Sequence, residues 1–72
     1  MTKGEQLLQR YLKGGMAVEE VFELEKEIDN FFQSDAPEDD KKMLGGYMEG
    51  FSMLCSTLRK LQVEGRIKEL YS

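Results

Sequence analysis

Ten carboxylates fall between Glu19 and Asp40, with Lys26 the one basic residue among them. Carboxylates at that density can do three kinds of chemistry: move protons, hold a metal cation, or attract a basic surface. Proton transfer near neutral pH most often enlists histidine, and the chain has none. A calcium loop needs spaced Asp or Asn ligands, a central glycine and a closing glutamate. The stretch Asp35 to Asp40 offers neither that spacing nor the glycine. Cys55 stands alone, so no Cys/His cluster can bind zinc. The sequence therefore assigns no catalytic residue, no metal ligand and no cofactor, and the chain is not expected to be an enzyme. What is left to the carboxylates is attraction at a surface.

The other candidates for chemistry have plainer readings beside them. Cys55 lies among apolar residues at helical spacing and reads as a buried, inert thiol, since no histidine and no helix start is near it to lower its pKa. Tyr11, Tyr47 and Tyr71 could stack on a base while Arg10, Lys26 or Arg59 neutralises a phosphate, but no Gly-rich loop of the P-loop or dinucleotide type accompanies them. Glycines Gly45, Gly46 and Gly50 are costly inside a helix, each worth up to about 1 kcal/mol against alanine. Gly46 and Gly50, four apart and continued by Met53 and Thr57, would form a flank on which a second helix can approach closely. The competing reading is a kink or break at Gly45-Gly46. Met53 lies off the main apolar stripe, where exposure would imply a partner.

Four segments must position these residues. Thr2-Lys3-Gly4-Glu5 is a capping-box pattern, followed by Leu7, Leu8, Tyr11 and Leu12 at helical spacing and ended by Gly14-Gly15. This predicts helix 1 over about 3–13. Ala17, Val21, Leu24, Ile28 and Phe31 alternate by four and three, which predicts helix 2 over about 17–33. At about 100° per residue, Glu19, Glu20, Glu23 and Glu27 point away from that stripe. Glu25 and Asp29 instead project towards its edge near Phe22 and Phe32, where they reach water, pair with a base on a neighbouring helix, or contact a ligand. Pro37, with Asp35, Glu38, Asp39 and Asp40 around it, marks a helix start whose dipole suits the acids. Helix 3 is predicted over about 37–64, with Leu44, Tyr47, Met48, Phe51, Leu54, Cys55, Leu58 and Leu61 on one side. Beyond Gly65 the apolar positions rotate to a new face, giving a short turn or helix over 66–71.

These segments make one small all-α domain spanning 1–72: a short first helix plus a hairpin of two longer antiparallel helices. A chain this short buries only about 60% of its unfolded surface. Without a disulfide or metal to staple it, a homodimer through Gly46, Gly50, Met53 and Thr57 is expected to complete the fold.

Charge is unevenly spread along the chain, positive at both ends and strongly negative in the middle, for a net −4. The middle repels phosphate, which disfavours direct nucleic-acid binding despite the basic residues Arg59, Lys60, Arg66 and Lys68. No apolar run approaches the roughly 18 residues that cross a bilayer, and no basic-then-apolar leader is seen, so a cytoplasmic location and no membrane association are expected. The partner expected from the acids Glu19, Glu20, Glu23, Glu27, Asp39 and Asp40 is a protein with a basic surface. In general character the chain looks similar to small acidic helical regulators, bacterial or phage-encoded, that bind and block a larger host protein. That resemblance is compositional and covers no diagnostic residues. The alternatives are an oligomer that sequesters a nucleotide or other small molecule, and a structural subunit of a larger assembly.

Overall fold

A computed structural model of the chain describes residues 1–63, and within them the fold is all-α. Four helices follow one another: α1 (Lys3–Lys13), α2 (Val18–Gln33), α3 (Glu38–Gly45) and α4 (Met48–Val63). The predicted turn or helix at 66–71 lies outside the described residues.

α1 starts as its sequence dictates. Thr2 is extended, its Oγ1 accepts from the Glu5 N–H at 3.2 Å, and Glu5 Oε1 accepts from the Thr2 N–H at 2.9 Å. Two amide donors that the first turn leaves unpaired are thereby satisfied. The helix stops where Gly14 and Gly15 take φ of 70° and 71°. With ψ of −164°, Gly14 sits in a region that residues with a Cβ essentially never enter.

α2 carries the stripe that organises the core. Val21, Leu24, Ile28 and Phe31 are all buried, while Ala17 lies just outside the helix as its exposed N-cap. They meet Leu7 of α1, Leu44 of α3, and Phe51, Cys55 and Leu58 of α4 in one cluster. Burying each large side chain contributes roughly 1.5–3 kcal/mol. Tyr11 closes the cluster on the α1 side, its ring edge-on to Phe51 at 5.1 Å between centroids. α1 packs against α2 and α3, and α2 packs against α4. Along the last contact the chain directions oppose: Met48 and Phe32 line one cleft, while Arg59, near the far end of α4, meets Phe22 and Glu25.

The predicted helix 3 over 37–64 is corrected to two helices. α3 ends at Gly45, and α4 begins only at Met48. At the join the Gly46 N–H still bonds Lys42 O at 3.2 Å, but the Tyr47 N–H bonds Leu44 O, three residues back, at 3.0 Å. Two adjacent glycines remove both helix propensity and side-chain packing where the helix would otherwise continue. The break turns Tyr47 outward, 49% exposed rather than on the apolar side, and Leu54 is also exposed. Leu44, Phe51, Cys55 and Leu58 nonetheless hold one apolar face through the break.

Candidate functional surface

The six acids expected to face a partner divide into two groups. Glu19, Glu20 and Glu23 of α2 and Asp39 of α3 are exposed, and among the described residues none of them makes an ion pair. Glu27 is taken by α1: Arg10 donates to its Oε2 at 2.6 Å. Asp40 is turned onto the start of α1, where its Oδ1 accepts from Thr2 Oγ1 at 2.7 Å and its Oδ2 from the Gly4 N–H at 3.0 Å. A carboxylate at a helix N-terminus meets both unpaired N–H groups and the positive end of the dipole. Asp40 thus caps a helix 36 residues away in sequence, a role that its local pattern gave no means of finding. Gly4 shows the other half of that contact, since a Cβ there would lie 2.5 Å from Asp40 Oδ1 and 2.8 Å from its Cγ.

The two carboxylates at the apolar edge of α2 also separate. Glu25 pairs with Arg59 of α4, whose guanidinium carbon lies 5.3 Å from the centre of the Phe22 ring. Its place at the apolar edge of α2 allows this ion pair with a neighbouring helix. Asp29, one turn on, is exposed and makes no ion pair among the described residues. It lines a cleft of about 200 Å³ between α2 and α4.

Cys55 is buried at 1% exposure. Burial pushes its thiol up to about 11, and the Glu25 carboxylate adds to the shift. The thiolate needed for nucleophilic chemistry is therefore scarcely formed near neutral pH. Glu5 moves the other way, its carboxyl held below the ordinary value by the hydrogen bonds from Thr2. Both shifts follow from packing and capping. Among the described residues, no three acids or thiols converge to hold a metal ion, and no helix is long and apolar enough to cross a membrane.

The residues assigned to self-association are likewise dispersed in environment. Gly46 sits in the α3–α4 break and caps α3. At Gly50 a Cβ would lie 2.9 Å from Tyr11 Oη, so the close approach that this glycine permits is already used within the chain, by α1. Met53 is 66% exposed and Thr57 is exposed beside it on α4. Among the described residues, the tyrosines and bases named for a nucleotide site have other contacts or lie apart from them. Tyr11 is packed on Phe51, Arg10 and Arg59 are ion-paired, and Tyr71 lies outside the described residues. Compared with protein-family models, curated proteins and solved structures, the chain matches none.

Proposed function

We propose that this chain is a small protein-binding regulator, an inhibitor of the kind bacteria and phages encode, that engages a basic surface on a larger protein. The observation that carries this reading is the set of exposed carboxylates Glu19, Glu20 and Glu23 on the first two turns of α2, which make no ion pair among the described residues. Neighbouring acids are drawn into intramolecular contacts with Arg10, Arg59 and the start of α1, while among the described residues these three are not. Charges held on a rigid helix at spacings of three and four repel one another slightly in the free chain. That repulsion is relieved when a basic surface docks, and their field speeds encounter with it. Asp39, exposed at the start of α3, follows the opposite end of α2 and adds to the net negative charge rather than to this local patch.

The expected outcome is a partner captured from a bacterial lysate at low salt, lost at high salt, and not captured by the Glu19→Lys, Glu20→Lys, Glu23→Lys triple variant. That variant should keep its helicity and melting temperature. Loss of helicity in the variant, or capture that ignores salt, would sink the reading.

Self-association belongs to the same proposal. Tyr47, Met53 and Leu54 are exposed apolar side chains on or beside α4, and a second copy presenting the same residues is the simplest closed way to cover them.

A further inference from the structure

The α2–α4 cleft in front of Asp29 has a particular make-up. Ile28 and Phe32 of α2, with Met48 and Phe51 of α4, give it an apolar floor and walls. Its remaining lining is polar: Glu25 and Asp29 from α2, and Ser52 from α4. The volume, about 200 Å³, suits one long side chain rather than a helix or a cofactor.

The chain itself shows what such surroundings accept. Arg59 lies two helical turns beyond Ser52 on α4, a spacing that returns to nearly the same helix face. Its guanidinium is held by the Glu25 carboxylate and lies over the Phe22 ring. Planar guanidinium stacks on aromatic faces and binds carboxylate through its fork of donors, while its stem packs on apolar surface. In front of Asp29 the same components recur: a carboxylate, aromatic rings from Phe32 and Phe51, and the flexible thioether of Met48. The α4 residue at that level is the short Ser52, so no side chain of the helix reaches across as Arg59 does one cleft segment away.

We propose that this cleft is an anchor pocket for one arginine side chain of a partner protein, with Asp29 as its counter-ion and Phe32, Met48 and Phe51 as its walls. An apolar anchor fits less well, since seating it would strip water from Asp29 without giving the carboxylate a partner. The pocket rests on the reading of the chain as a binder of basic surfaces. It adds to that reading a single localised contact, the kind that fixes register, where the exposed glutamates of the first two turns supply steering.

The test is a nuclear magnetic resonance titration of the full chain with the capped tripeptide Gly-Arg-Gly, beside the same peptide carrying citrulline, which keeps the shape and loses the charge. The arginine peptide should shift the amide signals of Asp29, Phe32, Met48 and Ser52 saturably, and the citrulline peptide should not. Asp29→Asn should weaken binding roughly ten-fold, as expected for losing a hydrogen-bonded charge. Ser52→Arg should fill the cleft from within and abolish the shifts, with the melting temperature unchanged or higher. Equal response to both peptides, or shifts spread evenly over Glu19, Glu20 and Glu23, would overturn the pocket. So would a wild-type affinity in Asp29→Asn. No partner protein enters this measurement, so its result stands apart from partner capture. Seating of the arginine peptide with no protein ever captured would count against the regulatory reading alone. Salt-sensitive capture that survives both Asp29→Asn and Ser52→Arg would remove the pocket alone.

Discussion

Gly4 and Asp40 illustrate how a residue's job depends on what faces it. In isolation Gly4 is a weak helix residue, and alanine there should help by up to about 1 kcal/mol. In the fold a Cβ would collide with the Asp40 carboxylate and push it off the Gly4 N–H and the Thr2 hydroxyl. Hydrogen bonds to a charged group are worth about 1.5–3 kcal/mol, so their loss outweighs the gain in propensity. Gly4→Ala is therefore expected to lower the urea midpoint, and an unchanged or raised midpoint would show that Asp40 does not hold α1. Cys55 yields a prediction about pH. Its folded-state value is raised from 9.0 to about 11, so the folded chain keeps a proton that the unfolded chain gives up. The contribution to stability is intact below the unfolded value and is lost as pH climbs through the folded one. Denaturation midpoints should fall more steeply across that alkaline window in the wild type than in Cys55→Ala. Parallel curves would mean that the thiol does not titrate as its burial requires.

The elements differ in how far the sequence revealed them. α1 and α2 were legible because a capping box, paired glycines and a four-three apolar alternation are local signals, and the helices run as those signals predict to within a residue. The α3–α4 region was legible in its apolar face and not in its continuity. Leu44, Phe51, Cys55 and Leu58 keep phase as one helix would, and only the glycine pair hinted at a break. Of the candidate surface, the outward direction of Glu19, Glu20 and Glu23 could be read from helical geometry. The capture of Asp40 and Glu27 could not, since each depends on a helix distant in sequence. The break also makes a prediction. Gly46 has right-handed helical φ and ψ of −64° and −18°, and a Cβ there meets only ordinary contact, 3.5 Å from Met43 O. Alanine fits that backbone and restricts the unfolded chain, so Gly46→Ala should stabilise by about 0.4–1 kcal/mol. A loss of stability in thermal denaturation would show that the break needs glycine itself.

At the scale of the whole molecule, the question is how a chain of 72 residues covers its apolar surface. The buried cluster draws on all four helices, but Tyr47, Met53 and Leu54 remain exposed along the α3–α4 segment. A core of this size is marginal alone, and covering those side chains with a second copy would add to it by mass action. The choice of variant decides whether this can be tested. Gly50→Leu, which the glycine spacing alone would recommend, places its side chain where Tyr11 Oη already lies. It would disturb the α1–α4 contact and so confuse folding with assembly. Met53 is 66% exposed and makes no such contact with the core cluster, so Met53→Glu should spare the monomer's fold. On a symmetric interface it would set two carboxylates near each other without a cation and favour dissociation. The expected outcome is a concentration-dependent dimer for the wild type in sedimentation and a monomer for Met53→Glu, with matching helicity at low concentration. A wild-type chain that stays monomeric at high concentration would rule out a second copy as the cover for these side chains, and would leave the acidic surface of α2 to be judged by its own partner.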